Sequence, residues 1–274
     1  MRLLTFRTGG GTRAGRLEGD EVVELDAADV GALLKAGNPA QARETGRRHR
    51  LAGLDLAPPV VDRASKIICM GQNYEAHLRE QNLEVPKLPT LFPKFPATLV
   101  GARDDVVLPK VSENADWEVE LAFYIGRPIR HASDDEALAA IAGYTVLNDV
   151  SIRDWQFRTS QWMQGKCWER STPVGPWLVT PDELDDPTHL RLTCEVDGQV
   201  MQDSNTSDMV FKPHQIAAYA SSFITLEPGD LIATGTPSGV GQHRKPAVYL
   251  QDGQVMKTAV EGIGELVNRC VKER

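Results

Sequence analysis

The chain has 274 residues, of which 41% are hydrophobic and 25% charged, and its formal net charge is −8. This length supports one main domain and a smaller second one. The acidic balance argues against electrostatic binding of nucleic acid or of an anionic membrane surface, so a small molecule is the expected partner.

The first 62 residues predict a small N-terminal α/β domain. Two strand-like runs, RLLTFR and EVVEL, lie on either side of the glycine-rich GGGTRAGRLEGD, and a helix-like stretch follows before the break APPV. The start of the chain has too short an apolar run for a signal peptide, and no run of about 18 apolar residues predicts a membrane helix. We therefore expect a cytoplasmic protein.

Residues 63–274 predict a mainly β domain with few helices. Short β-branched runs such as DDVVLP, WEVELAFYIG and GDLIATGTP are separated by proline and glycine. Two helices are expected, SDDEALAAIAGY with Ser133 as its N-cap and KPHQIAAYASSF. The segment from Pro86 to Pro96 predicts an ordered, nonregular loop, and VDGQ at 196–199 is typical of an Asp-Gly hairpin turn.

The cysteines do not predict redox chemistry or a zinc site. The four of them are far apart and form no CxxC or Cys/His zinc spacing: Cys69, Cys167, Cys194 and Cys270. We expect reduced thiols, as in a cytosolic protein.

The first candidate site in chain order is GQNYEAHLREQN at 71–82. His77 and Glu80 stand three residues apart and would share one face of a short helix. A glutamate that orients a histidine makes a general base. The alternative is an exposed histidine with an incidental ion pair, which is common on helix surfaces.

The stretch ADWEVEL at 115–121 alternates apolar and polar residues, which predicts a strand with one solvated face. Glu118 and Glu120 would leave it on the same side, roughly 6.6 Å apart at the backbone. They are either ordinary surface residues or part of a cation site with Asp149, which follows the apolar strand YTVLN. Three carboxylates suit a hard cation such as Mg²⁺ or Mn²⁺ and leave coordination positions for water and substrate.

Three further polar residues follow Asp149. Lys166 lies among the tryptophans of QWMQGKCW, where it would either meet a developing oxyanion or pack its stem on those rings. Arg153 and Gln156 in SIRDWQ would either bind a substrate carboxylate or remain surface polar residues.

Taken together, these segments resemble the fumarylacetoacetate hydrolase family from about Lys66 to Asn268. The matching segments occur in the same order as in that family: ICMGQNYEAHLRE, LFPKFPATLVG, DWEVELAFYIGR, IAGYTVLNDVSIRDWQ, QWMQGKCW, STPVGPWLVT, MQDSNTSDMVF, TLEPGDLIATGTPSGVG and VEGIGELVN. The resemblance is to the bacterial branch of acylpyruvases and 2-hydroxyhepta-2,4-diene-1,7-dioate isomerases. It implies a mixed β-sandwich or β-roll catalytic domain, an octahedral Mg²⁺, Mn²⁺ or Ca²⁺, a lid helix that orders on substrate binding, and a homodimer.

The resemblance also implies roles for individual residues. The metal ligands would be Glu118, Glu120 and Asp149, the lid pair His77 and Glu80, the active-site lysine Lys166, and the substrate-contacting residues Arg153, Gln156 and Thr236. Gln72 in GQNY and the wording CWERSTP depart from the commonest family pattern, which bears on the identity of the substrate.

The activity expected first is hydrolysis of a C–C bond in a 2,4-dioxo acid such as an acylpyruvate or fumarylpyruvate, through an enolate that a divalent metal stabilises. In that reaction His77 and Glu80 would activate water, and Lys166 would stabilise the oxyanion. The alternatives are an isomerase of 2-hydroxyhepta-2,4-diene-1,7-dioate or an oxaloacetate decarboxylase, and, in another class, a protein that binds an oxo acid without turnover. The expected small-molecule partner in each case is a 2-oxo acid.

Overall fold

A computed structural model describes residues 1–61 and 65–274, and the predicted domain boundary between residues 62 and 63 lies outside the described residues. Strands dominate and the helices are few and short, which confirms the predicted mainly β fold. No helix of the described residues is long and apolar enough to cross a membrane. All four cysteines are free thiols, as predicted.

The N-terminal part forms strands around one short helix. Its elements are β1 (Arg2–Thr8), β2 (Gly11–Glu18), β3 (Glu21–Leu25), α1 (Val30–Lys35), β4 (Glu44–Arg50) and β5 (Leu56–Ala57). Asp29 caps α1, since its side chain accepts a hydrogen bond from the Ala32 N–H. The predicted strands RLLTFR and EVVEL are thus confirmed as β1 and β3.

The rest of the chain alternates short helices with strands. The first half contains β6 (Ile67–Gly71), α2 (Glu75–Glu80), β7 (Thr90–Lys94), β8 (Leu99–Val100), β9 (Val106–Leu108), β10 (Ala115–Asp116), β11 (Val119–Ile125), α3 (Asp134–Leu138), β12 (Ile141–Asn148) and β13 (Ser151–Ile152). The second half contains α4 (Arg153–Gln156), α5 (Met163–Lys166), β14 (Thr172–Val179), β15 (Arg191–Val196), β16 (Gln199–Asn205), α6 (Pro213–Ser221), β17 (Leu231–Ala233), β18 (Val255–Val260) and β19 (Gly264–Lys272).

Two sheets pack face to face. The main sheet follows the order β4-β3-β2-β1-β14-β12-β11-β17-β6-β7, and the second sheet follows β16-β15-β18-β19-β9. Strands β11, β12 and β14 contact β15, β18 and β19 of the second sheet. Because β1 pairs antiparallel with β14, the N-terminal strands continue the same main sheet. The fold is therefore a sandwich whose larger layer includes the N-terminal part.

Strand β11 lies in the middle of the main sheet and has no solvated face. It pairs with β12 on one side and β17 on the other, and all seven of its residues are buried. Leu121 and Phe123 point into the core between the sheets, whereas Ala122 and Tyr124 belong to a second core that includes Val30 of α1. The prediction of one strand with a wet face over ADWEVEL is thus wrong. Strand β10 ends at Asp116 and pairs with β13, β11 begins only at Val119, and other elements cover both sides of β11.

Two other sequence expectations need correction. The helix that Ser133 opens has the predicted cap but ends at Leu138, since Ile141 already begins β12 beside β11. The segment Pro86–Pro96 contains strand β7, which pairs with β6 at the edge of the sheet. An edge strand tolerates Pro93 because one side of its backbone needs no sheet partner.

The hairpin and the second helix follow the prediction. Asp197 and Gly198 both have positive φ, 49° and 77°, and join β15 to β16 in the turn geometry that suits an Asp-Gly pair. Helix α6 covers most of KPHQIAAYASSF.

Candidate active site

Three acidic side chains meet where β11 begins and β12 ends. Glu118, Glu120 and Asp149 each offer a carboxylate oxygen, and these oxygens lie within 4.8 Å of one another. Backbone bonds fix the two segments together, since the Asp149 N–H donates to the Glu118 carbonyl at 2.9 Å and the Glu118 N–H donates to the Asn148 side chain at 3.0 Å. The three carboxylates are 6%, 1% and 0% exposed. The fold therefore holds three buried acids in one place.

Glu120 has one oxygen that the described residues leave without a partner. Its Oε2 accepts a hydrogen bond from the Gly235 N–H at 2.7 Å, whereas the buried Oε1 accepts none. Burial raises the pKa of Glu120 well above its usual range, and the nearby Asp149 and Glu118 raise it further. A buried carboxylate oxygen without a partner is costly, and a hard cation would satisfy it. The oxygen donors present thus fit a divalent metal ion.

Two buried lysines balance part of the negative charge of the three carboxylates. Lys166 Nζ donates to Glu118 Oε2 at 2.7 Å and to Asp149 Oδ2 at 2.9 Å, and Lys94 Nζ donates to Asp149 Oδ1 at 2.6 Å. Burial alone would lower the pKa of Lys166, but the charges of Asp149 and Glu118 outweigh it and raise the pKa. Lys166 is therefore a buried cation of the site, and its ammonium group does not reach out to solvent.

Sequence reasoning missed Lys94. Its side chain is completely buried, and it alternates with buried Phe92 along β7. The alternation of Phe92 and Lys94 could have indicated a strand with a buried lysine. It lies within the proline-rich segment Pro86–Pro96, however, which predicted a loop.

Arg153 connects the acids to helix α4. Its Nη1 lies 2.6 Å from Glu118 Oε1 and donates to Gln156 Oε1 at 2.9 Å, whereas its buried Nη2 has no partner among the described residues. Burial would raise the pKa of Glu118, but Lys166 and Arg153 outweigh it and lower the pKa to about 2. Arg153 and Gln156 are thus buried residues of the site and not surface polar groups.

Asp116 is a second buried residue that sequence reasoning missed. Its carboxylate accepts hydrogen bonds from Arg153 Nε at 2.8 Å and from the backbone N–H groups of Trp117, Gly241 and Gln242 at 2.8, 2.7 and 2.9 Å. It joins the start of the acidic segment to helix α4 and to the turn at 241–243. Nothing in its sequence neighbourhood marks it, because all but one of these donors are distant in the chain.

Helix α2 carries a buried histidine paired with a half-buried glutamate. His77 is 7% exposed, and its Nδ1 lies 2.9 Å from Glu80 Oε2. Glu80 Oε1 accepts a hydrogen bond from the Gly239 N–H at 3.2 Å. Burial would raise the pKa of Glu80, but the bonds from His77 and Gly239 outweigh it and lower the pKa. The histidine is thus buried and oriented by an ionised glutamate, unlike an incidental surface pair.

One cavity of about 80 Å³ joins these residues. The predicted residues that line it are His77, Glu118, Arg153, Gln156, Lys166 and Thr236. Glu80 and Asp149 adjoin it through their bonds to His77 and Lys166, and Glu120 lies behind it in the cluster with Glu118 and Asp149. The Thr236 hydroxyl donates to the Val119 carbonyl at 2.9 Å, so it has no proton left to offer a ligand.

Close packing of α5 against α4 sets the position of Lys166. A methyl group on Gly165 would come 2.4 Å from Gln156 Cα, a backbone atom that cannot give way. Gly165→Ala is expected to separate the helices, lower the free energy of unfolding by about 1–3 kcal/mol, and reduce turnover because Lys166 and Arg153 move apart. Thermal unfolding and steady-state kinetics measure both, with Gly10→Ala as control because a methyl there has nothing within 4 Å. Wild-type stability and turnover in Gly165→Ala would contradict this packing argument.

Comparisons with known proteins give a consistent assignment. Residues 66–271 match the family model "Fumarylacetoacetate (FAA) hydrolase C-terminal", and residues 1–59 match "Rv2993c-like, N-terminal". The chain is 47% identical over 218 residues to the oxaloacetate tautomerase FAHD2A, mitochondrial, of Homo sapiens, which covers 79% of this chain and 69% of that protein.

Solved structures agree over the full length. The crystal structure of 5-carboxymethyl-2-hydroxymuconate delta-isomerase from Mycobacterium smegmatis matches with a TM-score of 0.85 at 36% identity, covering 100% of both chains. The fumarylacetoacetate hydrolase of Exiguobacterium antarcticum matches with a TM-score of 0.86 at 33% identity, again over 100% of both chains.

Proposed function

The chain belongs to the fumarylacetoacetate hydrolase family, and from this membership we propose that it is a divalent-metal-dependent enzyme that interconverts the keto and enol forms of a 2-oxo acid, with oxaloacetate as the first candidate substrate. The observation that carries the proposal is a cluster of three buried carboxylates beside a cavity that Glu118 lines together with His77, a histidine held by an ionised glutamate. The name of the human relative, an oxaloacetate tautomerase, supports the choice of reaction and substrate.

Glu118, Glu120 and Asp149 would hold the metal, for which Mg²⁺ is the first candidate and Mn²⁺ or Ca²⁺ the alternatives. All three ligands are carboxylates, which hard cations prefer. A divalent cation bound there supplies Lewis-acid polarisation of the 2-oxo group.

His77 supplies the proton transfer in this proposal. Its Nδ1 donates to the Glu80 carboxylate, so the lone pair lies on Nε2, which has no protein partner among the described residues. In the keto form Nε2 takes a proton from C3, and the imidazolium returns it to the oxygen on C2. Lys166, which stays protonated between Glu118 and Asp149, adds positive charge where that oxygen becomes negative. Helix α2 excludes bulk water while the proton moves.

Hydrolysis of a C–C bond is the second candidate, and a specific observation favours it too. The same Nε2 lone pair would activate a water molecule, as the sequence analysis expected, and one matching solved structure is a fumarylacetoacetate hydrolase. The name of the human relative, an oxaloacetate tautomerase, is the reason that we place tautomerisation before hydrolysis. A protein that only binds an oxo acid would need no oriented base, so the pair of His77 and Glu80 argues for turnover. The homodimer and the cytoplasmic location stay predictions.

A substrate panel tests the proposal. Metal-stripped protein reloaded with Mg²⁺ or Mn²⁺ is expected to accelerate the keto–enol interconversion of oxaloacetate, followed by the ultraviolet absorbance of the enol, and to lose this activity in chelator. Acetylpyruvate and fumarylpyruvate in the same assay report hydrolysis, and release of CO₂ reports decarboxylation. Efficient cleavage of an acylpyruvate without any acceleration of oxaloacetate interconversion would replace tautomerisation with hydrolysis.

A further inference from the structure

The turn at 241–243 presents two side chains to the cavity for which the sequence analysis gave no role. Gln242 and His243 line the cavity together with Arg153. We propose that Gln242, His243 and the free Nη2 of Arg153 form a subsite for the second carboxylate of a dicarboxylic 2-oxo acid. This inference rests on the proposed function and adds to it the residues that select a substrate with a second carboxylate.

The turn is rigidly held, which is what a specificity site requires. The Asp116 carboxylate accepts hydrogen bonds from the backbone N–H groups of both Gly241 and Gln242, at 2.7 and 2.9 Å. A methyl group on Gly241 would come 1.9 Å from the Val248 carbonyl oxygen, so the turn packs without spare room. The same Asp116 bonds to Arg153, and it therefore fixes the guanidinium and the turn relative to each other.

Gln242 is oriented so that its donor group remains available. The Tyr249 hydroxyl donates to Gln242 Oε1 at 2.6 Å. This bond identifies the other end of the amide as Nε2, a group with two N–H donors and no partner among the described residues. Tyr249 itself does not line the cavity. It is a positioning residue for the amide.

His243 adds a second donor beside the catalytic histidine. Its ring lies edge-on to His77, with centroids 5.8 Å apart, and it makes no hydrogen bond with the described residues. Burial lowers the pKa of His243, although Glu80 opposes the shift. The ring is therefore a neutral imidazole at neutral pH, and it offers one N–H to an acceptor.

The charge of Arg153 indicates that the ligand group bound at this subsite is a carboxylate. Its Nη2 is buried without a partner among the described residues, which is costly for a guanidinium unless a ligand bonds to it. Gln242, His243 and Arg153 each offer at least one N–H donor, and the guanidinium of Arg153 carries a positive charge. A carboxylate satisfies all three, whereas a methyl or ester end satisfies none of them fully.

The test compares oxaloacetate with its 4-methyl ester, in which the second carboxylate is masked. In Gln242→Leu and His243→Phe, the KM for oxaloacetate is expected to rise about tenfold with kcat changed less than about threefold, because each loses one hydrogen bond to a charged group. The ratio of kcat/KM for acid over ester should fall about tenfold. Tyr249→Phe should lower the same ratio by a smaller factor, and the exposed His189→Gln should leave it at the wild-type value.

Binding to the Mn²⁺-loaded protein, measured by calorimetry, gives an independent readout. Wild type should bind oxaloacetate more tightly than the ester, and this difference should be smaller in each of the two variants. An acid-to-ester ratio that stays at the wild-type value in both variants, in kinetics and in binding, would overturn the subsite. If wild type accelerates neither compound, the proposed function fails, and the binding comparison still decides whether the subsite exists. Circular dichroism of each variant excludes a folding defect.

Discussion

Glu120→Gln is expected to weaken divalent-metal binding at least about 100-fold and to abolish metal-dependent turnover. The substitution removes a buried negative charge, whose attraction contributes more than about 3 kcal/mol to the binding free energy of the cation. The reason is the Oε1 atom that no described residue satisfies. An amide can offer one neutral oxygen there but not the charge. Calorimetric titration of metal-stripped protein with Mg²⁺ and Mn²⁺ measures the loss, and the exposed Glu265→Gln serves as the matched control.

The same substitution should have the opposite effect on the metal-free protein. Burial, Asp149 and Glu118 together raise the pKa of Glu120, so this carboxyl holds a proton to a higher pH in the folded chain than in the unfolded chain. The free energy of unfolding of metal-free wild type should therefore fall as the pH rises above the usual glutamate range. Glu120→Gln removes this dependence and should leave the metal-free protein at least as stable as wild type at neutral pH.

Metal binding has to displace that proton. The Mg²⁺ affinity of wild type is thus expected to rise with pH until Glu120 ionises in the metal-free protein. Thermal unfolding with and without Mg²⁺ at several pH values follows both effects. A Glu120→Gln protein that Mg²⁺ still stabilises as much as wild type would contradict the ligand assignment.

His77→Ala is expected to lower kcat by about 10²–10⁴-fold, the usual contribution of a positioned general base, while the affinity for Mn²⁺ stays within about twofold of wild type. His77 contacts Glu80 and the ring of His243 and is not one of the clustered carboxylates. Glu80→Gln should have a smaller effect on kcat, because it removes only the group that orients the imidazole.

Arg79→Ala provides the control for this prediction. It lies on the same helix, but its side chain is 67% exposed and pairs with Glu75. It should change kcat less than about twofold, since a surface ion pair contributes little. Steady-state kinetics measures the loss of proton transfer in His77→Ala, and Mn²⁺ titration shows whether metal binding is unchanged. A His77→Ala protein with wild-type kcat would exclude this histidine as the base.

The sequence predicted which side chains meet at this site better than it predicted what covers them. Glu118, Glu120 and Asp149 could be grouped because the first two alternate along a predicted strand and the third follows the end of another, although the structure places Glu118 just before β11. The spacing of His77 and Glu80 predicted their contact, which the helix makes at 2.9 Å. Periodicity and spacing offered these contacts beside ordinary surface alternatives, and the resemblance to the family decided between them.

Burial of the site could not be predicted from the same patterns. Alternation along β11 indicates which residues share a face, but it does not indicate what covers that face. The cover comes from helices α2, α4 and α5 and from α1, which are distant in sequence. The wet-face interpretation of Glu118 and Glu120 was wrong for that reason.

Lys94 and Asp116 show the same limit for single residues. Each is completely buried and bonds to groups 37 or more positions away, apart from the Trp117 N–H beside Asp116. Only the pairing of the strands brings those partners together. A lysine in a proline-rich run and an aspartate before a tryptophan carry no local signal of a buried charge network.

The central claim is that Glu118, Glu120 and Asp149 hold one divalent cation. The most direct test is a crystal structure of the protein grown with Mn²⁺, with anomalous data collected at the manganese edge. A cation shared by these ligands predicts one strong anomalous peak about 2.1 Å from an oxygen of each of the three carboxylates, and no peak there in crystals of Glu120→Gln. Active wild-type crystals that bind Mn²⁺ elsewhere, with no peak among these three side chains, would contradict it.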